Sequence, residues 1–231
     1  MTSSGTYALN PAISGLTMLA YSRIGKRRTQ ITQEMLADAD LESNFVQVQL
    51  GNRQPNLWRN QLFERTLEES EPSYDLPSHF IAIRDAFISI TSNGVTTDRV
   101  VWPLSTMEYD ALPVKLQEGP PTCYYINKLM TPTITFWPVP DGAATYVANI
   151  RILTQIQDTS LKNGVTLDMP YRALDVFVAG LAHRLSRHHA RDLEAARKAD
   201  FNEAWADFTS TDVEDNVALI IAPDTSGYWR S

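Results

Sequence analysis

The sequence predicts an α+β fold in which helices from both ends of the chain form one bundle and an antiparallel β region is inserted between them. Apolar residues recur with a helical period over roughly the first 55 residues. The period becomes that of strands from about Trp58 to Leu161, and it is helical again after Asn163-Gly164. Because neither end can bury an apolar helix face alone, we expect the two ends to pack together.

This pattern divides the chain into four segments. We expect N-terminal helices in residues 1–56, an antiparallel β insertion in residues 57–165, and C-terminal helices in residues 166–208. The two helical segments are predicted to form one domain. Residues 209–231 are predicted to form an extended C-terminal arm.

Two helices are predicted in the N-terminal segment. The first follows Asn10-Pro11, a typical cap and first-turn pair, and ends at Gly25. The second begins near Thr32, whose hydroxyl can cap the first turn, and stops near Gly51. The apolar residues expected on roughly one side of the second helix are Met35, Leu36, Ala39, Phe45 and Val48.

Two hairpins are predicted in the β segment. Asn93-Gly94, a strong hairpin signal, should connect Phe80–Thr91 with a strand from Val95 to Trp102. Asp141-Gly142 should connect Thr133–Trp137 with Thr145–Ile152. One face of this last strand is apolar, which is typical of an antiparallel sheet with one buried side; its apolar residues are Tyr146, Ala148, Ile150 and Ile152. A short helical turn is expected at 105–109.

Two helices are predicted in the C-terminal segment. The first begins after Asp168 and Pro170, and it carries a continuous apolar stripe. The residues of this stripe are Leu174, Phe177, Val178, Leu181, Ala182 and Leu185. A break near His188 to Asp192 leads into the last helix, whose apolar residues are Ala196, Phe201, Trp205 and Phe208.

Composition excludes several classes of protein. The chain has 231 residues, of which 43% are apolar, and a net charge of −7. It can therefore bury a core, but it lacks the excess of Lys and Arg that a nucleic-acid reader needs. The single cysteine, Cys123, cannot form an internal disulfide and is predicted to be a buried strand residue. No apolar stretch is long enough to cross a bilayer and no signal peptide is evident, so we expect folding in a cytoplasm without a membrane partner.

Sequence motifs for catalysis or cofactor binding were not found. The chain contains no nucleophile elbow, no phosphate-binding loop and no dinucleotide fingerprint. The carboxylates Glu68, Glu69 and Glu71 fall in a polar turn, which does not suggest the facing pair that a glycosidase needs. We therefore predict no catalytic and no cofactor-binding residues.

The first C-terminal helix carries the residues that come nearest to a metal site. His188 and Asp192 are four residues apart, with His183 close by, so they could share a face. The neighbouring cations Arg184, Arg187 and Arg191 would oppose a divalent ion. A solvated helix end explains the same residues more simply, and we predict no metal.

Two surface features suggest partner binding. The basic run Lys26-Arg27-Arg28 could be a solvated loop, a contact with an acidic partner or a contact with phosphates. Near the C-terminus an apolar run, 217–222, is followed by Tyr228-Trp229 in an otherwise acidic stretch. This run could fold back as an edge strand or bind a neighbouring chain, and both alternatives stay open.

The order of several short motifs resembles the head-to-tail adaptor proteins of tailed bacteriophages, especially short-tailed ones, also known as tail accessory factors or tail tubular A-type proteins. The resemblance spans about residues 10 to 210 within the helix–sheet–helix frame. Its motifs are Tyr74-Asp75-Leu76-Pro77, Pro103-Leu104 with Tyr109, Gly119-Pro120-Pro121 before Tyr124-Tyr125-Ile126, Trp137-Pro138-Val139-Pro140-Asp141, Leu167-Asp168-Met169-Pro170 and Gly180-Leu181-Ala182.

The resemblance implies a non-enzymatic virion subunit at the head–tail junction of a podovirus, made in the host cytoplasm. It implies a ring, of twelve copies in most of the family, that binds beneath the portal protein, extends the DNA channel and docks the next tail component, a nozzle or tail tube. DNA would pass without sequence-specific binding. The C-terminal segment would reach along the portal, and its candidate contacts are Val217, Leu219, Ile220, Ile221, Tyr228 and Trp229. Lys26, Arg27 and Arg28 would face the portal or DNA.

Two alternatives to the adaptor are kept. The chain could be a tail completion or host-interaction protein, which the identity of its partner would reveal. A cell-wall hydrolase is the second alternative, and it would require a cleft that holds a carboxylate with a raised pKa.

Overall fold

The computed structural model describes residues 9–53, 57–161 and 165–212, and within them it confirms the α+β class. The helices are α1 (Ile13–Arg23), α2 (Gln33–Arg53), α3 (Thr106–Asp110), α4 (Leu174–His189) and α5 (Glu194–Thr211). The strands are β1 (Asn60–Leu67), β2 (Ser73–Asp75), β3 (Phe80–Ser92), β4 (Val95–Val100), β5 (Trp102–Leu104), β6 (Cys123–Asn127), β7 (Thr133–Trp137) and β8 (Thr145–Thr154).

Helix α4 is the centre of the helical bundle. All six residues of its predicted apolar stripe are buried, and α1, α2 and α5 pack around it. At Gly180 an added Cβ would lie 3.1 Å from both Val46 of α2 and Phe201 of α5. The glycine therefore lets two neighbouring helices approach the α4 backbone closely. The helices of both chain ends share one apolar core, as the sequence pattern indicated.

The N-terminal helices follow the sequence pattern only in part. Helix α1 begins at Ile13 without a side-chain cap, so the predicted cap at Asn10-Pro11 was wrong. Gly25, at φ +77°, follows the end of α1 as predicted. The Thr32 hydroxyl accepts a hydrogen bond from the Met35 N–H at 3.3 Å, which confirms the cap of α2.

The buried face of α2 differs from the predicted one. Its buried residues are Ala39, Ser43, Val46, Gln47 and Leu50. Phe45 and Val48, which we had placed on the apolar side, are 47% and 49% exposed. The helix also continues two residues past Gly51. A small polar side chain can occupy the core here because the Ser43 hydroxyl donates to the Ala39 carbonyl within the same helix.

The β region is a sandwich of two four-stranded sheets. The strand orders are β1-β8-β3-β4 and β2-β7-β6-β5, and every strand pair is antiparallel except β5 with β6. The alternating face of β8, from Tyr146 to Ile152, is buried as predicted and packs against Ile134 and Phe136 of the other sheet. A second apolar core therefore lies between the two sheets.

One of the two predicted hairpins exists. Strands β3 and β4 pair through the turn at Asn93-Gly94, as predicted, but β4 ends at Val100 and Trp102 belongs to the other sheet, so the predicted end at Trp102 was wrong. The hairpin predicted at Asp141-Gly142 was wrong, because β7 pairs with β2 and β6 whereas β8 pairs with β1 and β3. The connection contains Pro138 and Pro140, which have no N–H to continue a ladder, and the chain crosses here from one sheet to the other.

Three smaller expectations can be compared with the structure. The short turn is α3, where Ser105 and Glu108 form a capping box. Cys123 lies in β6 as predicted but is partly exposed rather than buried. Helix α5 continues to Thr211, three residues into the range predicted for the arm. The rest of that arm lies outside the described residues.

Candidate assembly interfaces

Arg59 joins the helical bundle to the sandwich. Its side chain is buried; Nε donates to the Thr154 carbonyl at 2.6 Å and Nη1 to the Gly51 carbonyl at 3.2 Å. The Thr154 hydroxyl donates to the Arg59 carbonyl at 3.1 Å. Burial lowers the pKa of the guanidinium. The end of α2, the start of β1 and the end of β8 are therefore held together by one side chain.

Beside Arg59 lies an open cleft of about 250 Å³, between α2 and the sandwich. Val48 and Ile81 provide apolar surface, and Asp158 provides a carboxylate. Its other lining side chains are mainly amides, among them Asn44, Gln47 and Gln155. Val48 is also half exposed, so the cleft opens on the solvent-facing side of α2.

Asp212 is the last residue that the structure describes, and it falls within the range 209–231 predicted for the arm. The Asp212 carboxylate is buried and accepts a hydrogen bond from Arg172 at 2.8 Å. The Arg172 guanidinium also lies over the Trp58 ring, and Trp58 packs edge-on against Phe208. The six predicted arm contacts lie outside the described residues: Val217, Leu219, Ile220, Ile221, Tyr228 and Trp229.

The predicted basic loop lies beside the outward face of α1. Lys26, Arg27 and Arg28 border a groove together with Met18 and Leu19. In the described part of the chain, none of the three cations forms an ion pair with a carboxylate. Their charge is therefore available to a partner, and the groove floor adds apolar surface to it.

Helix α2 carries a second apolar stripe that faces solvent. Ala37, Leu41, Phe45 and Val48 are all exposed, and Leu41 is 60% exposed. At 100° per residue these positions lie opposite the buried face of Ala39, Val46 and Leu50. Exposed apolar stripes of this kind mark protein contacts. The sequence did contain the signal, since the helix is apolar on two faces, but only one face was assigned.

The sandwich exposes a third apolar surface on its second sheet. Trp102 is in register with Cys123, and Cys123 with Trp137, so the three lie in a row across the sheet. The Trp137 indole donates to the Val114 carbonyl at 3.0 Å, which places the exposed Val114 beside this row. Met130, at the β6–β7 tip, is fully exposed. This surface is remote in sequence from the exposed stripe of α2.

Two histidines of α4 lie beside carboxylates of α2 rather than beside Asp192. His188 lies 3.1 Å from Glu42 of α2, and His189 lies 3.5 Å from Asp38. Burial lowers the pKa of His183, helped by the Arg187 charge, and burial also lowers the pKa of His189. Within the described ranges no three His, Cys, Asp or Glu side chains are arranged to hold a metal ion.

The acidic turn after β1 is organised by Tyr74. Its hydroxyl accepts a hydrogen bond from the Glu68 N–H at 2.8 Å and donates to the Glu71 carbonyl at 2.9 Å. Burial raises the pKa of Tyr74, and its ring packs edge-on against Phe136. This tyrosine begins the first motif of the adaptor resemblance, and its contacts show a structural role for that motif.

Comparison with known families decides the class of the protein. The family model of the SU10 adaptor protein matches residues 21–222, which include most of the bundle and the whole sandwich. The chain belongs to the SU10 adaptor protein family. This confirms the resemblance to phage head-to-tail adaptors, and it makes the adaptor a structural component of the phage particle. A comparison with curated proteins gave no match.

An adaptor contacts other components of the phage head and tail. The exposed stripe of α2, the basic groove and the apolar row of the sandwich are surfaces that such contacts could use. None of the helices in the described ranges is long and apolar enough to cross a bilayer.

Proposed function

We propose that the adaptor forms a ring beneath the portal protein, extends the DNA channel there and docks the next tail component. One observation carries this proposal: after filling two apolar cores, the chain still exposes separate apolar surfaces on the bundle and on the sandwich. A ring subunit needs several such surfaces, because it contacts its neighbours and the components above and below. Twelve copies is the number that the family resemblance suggests.

The C-terminal segment is proposed to be the portal-binding arm. Its contacts are expected at Val217, Leu219, Ile220 and Ile221, and at the aromatic pair Tyr228-Trp229. The ion pair of Asp212 with Arg172 supports this proposal, because it attaches the residue directly before 213–231 to the bundle. The 19 residues 213–231 could span up to about 60 Å if fully extended. Aromatic and aliphatic anchors of this kind dominate the energy of many protein interfaces.

The acidic charge suits a channel through which DNA slides. At −7 per chain, a ring would carry several times that charge. Such a field opposes adhesion of the phosphate backbone without blocking its passage. The loop Lys26-Arg27-Arg28 is the local exception in this acidic chain, and the portal or DNA is its proposed partner.

Removal of the arm tests the portal contact. We expect a chain ending at Asp212 to keep its thermal midpoint, because both cores lie within residues 9–212, and to lose at least tenfold in affinity for the cognate portal. Binding would be measured by co-sedimentation with assembled portal. A full-length Ile220→Asp, Ile221→Asp variant should behave alike, and Thr225→Ala is the matched control. Unchanged portal binding by both variants would show that the arm has another role.

A further inference from the structure

The solvent-facing stripe of α2 has acidic neighbours on the same side of the helix. Glu34 and Asp38 precede Leu41 by seven and three residues, so at helical spacing they extend the same face. Glu34 is exposed, and the Asp38 side chain is 52% exposed although it lies 3.5 Å from His189 of the same chain. Burial lowers the pKa of His189, which disfavours a positive charge there and leaves the Asp38 charge uncompensated. Arg184 approaches Phe45, but its charge is already paired with Glu42 at 2.9 Å. We call Ala37, Leu41, Phe45 and Val48, together with Glu34 and Asp38, the α2 ridge.

The outward face of α1 is also apolar, but the charges beside it are positive rather than negative. Met18 and Leu19 line the groove of about 480 Å³ that the basic loop borders. Gly15 and Ser22 also line the groove, and because their side chains are absent or short they leave it open. We call this surface the α1 groove. It shares no residue with the α2 ridge.

We propose that the α2 ridge of one copy packs into the α1 groove of the next copy in the ring. Apolar side chains of the ridge would meet Met18 and Leu19, while Glu34 and Asp38 would meet the Lys26–Arg28 loop. The partner is a second copy because each chain carries one ridge and one groove of opposite charge. DNA would match the cations but not the apolar floor of the groove.

Two different surfaces in contact make a heterologous interface, which closes into a ring when the rotation between copies allows it. The inference therefore rests on the proposed ring. One helix face and one groove form a small contact, so the free chain is expected to be mainly monomeric. Binding to a common portal would raise the effective concentration of neighbouring copies and complete the ring.

Cross-linking between two populations of chain tests this pairing. In a Cys123→Ser background, one population carries Leu19→Cys in the groove and the other carries Leu41→Cys on the ridge. Both positions are exposed, so folding should be preserved. Each population, and their mixture, is assembled on the cognate portal and treated with a short bismaleimide. We expect cross-linked dimers from the mixture and none from either population alone.

Charge reversal provides a second, independent test. Arg27→Glu with Arg28→Glu should reduce the yield of mixed dimers roughly tenfold, and adding Glu34→Arg with Asp38→Arg should restore part of it.

Rings that form on the portal without mixed dimers would overturn the pairing and leave the proposed function standing. Dimers within a single population would also overturn it. If the loop variant weakens binding to a DNA duplex or to the portal but leaves the dimers unchanged, the loop has that partner instead. If electron microscopy shows no ring with the unmodified chain, the proposed function itself is wrong.

Discussion

At the scale of single residues, Arg59 carries the connection between the bundle and the sandwich. Its charge is buried against the carbonyls of Thr154 and Gly51 rather than exposed to water. The Gly51 carbonyl lies near the C-terminal end of α2, where the helix dipole favours a cation. A sequence cannot reveal this role, since an Arg before a strand is usually a solvated residue.

Replacing Arg59 should therefore destabilise the whole chain. We expect Arg59→Met to lower the free energy of unfolding by about 3 kcal/mol, because it removes charge-assisted hydrogen bonds to buried carbonyls. Urea unfolding would measure the loss. Arg99→Met, at an exposed position of β4, is the control and should change stability by less than about 0.5 kcal/mol. Equal effects of the two substitutions would contradict the role assigned to Arg59.

Tyr146 and Asp141 give the sandwich a small acid sensitivity. The Tyr146 hydroxyl donates a hydrogen bond to the Asp141 carboxylate at 2.8 Å, and the Ala143 N–H donates a second. Both hydrogen bonds favour the ionised carboxylate and lower the pKa of Asp141. Burial, with the hydrogen bond to Asp141, raises the pKa of Tyr146 to about 12. A carboxyl whose folded pKa is depressed stabilises the fold above its unfolded pKa, near 3.9, and loses that contribution as the pH falls through the folded value.

We predict that Tyr146→Phe lowers the free energy of unfolding by about 1 kcal/mol at pH 7 and by less at pH 3, which lies below the unfolded pKa of an aspartate, near 3.9, where the contribution of the depressed pKa of Asp141 starts to be lost. Urea titrations at the two pH values would show the difference. Tyr125→Phe keeps the ring stacked on Tyr109 and serves as the control. An equal loss at both pH values would mean that the charge of Asp141 does not strengthen the bond.

At the scale of elements, local periodicity predicted most helices and strands but few of their partners. Strand β8 could be predicted because its apolar residues alternate, yet its partners β1 and β3 lie far away in sequence. Asp141-Gly142 looked like a hairpin turn, but the prolines before it move the chain to another sheet. The sequence also could not show which face of α2 is buried, because the helix is apolar on two faces and only packing selects one of them.

Two glycines on helices should respond oppositely to the same substitution. Gly180→Ala should destabilise the bundle by about 1 to 3 kcal/mol, because its Cβ would crowd Val46 and Phe201 at 3.1 Å. Gly15→Ala should stabilise the chain by up to about 1 kcal/mol, because no atom lies near its added Cβ. Thermal and urea unfolding of both variants would check this. Stabilisation by Gly180→Ala would show that α4 has more room than the structure gives it.

At the scale of the whole molecule, each apolar core is closed and the remaining apolar groups face outwards. The bundle and the sandwich are joined at Arg59 and by the ends of β1 and β8. The division of the chain into residues 1–56, 57–165, 166–208 and 209–231 stays a prediction. The partner surfaces could be recognised only in the structure, because exposure rather than composition distinguishes Phe45 and Val48 from the core.

Electron microscopy of the full-length adaptor mixed with its cognate portal tests the central claim most directly. We predict a closed ring of adaptor copies, about twelve, coaxial with the portal and prolonging its channel, with helical bundles side by side. Monomers that leave the portal undecorated, or copies bound singly without contact to one another, would contradict the account.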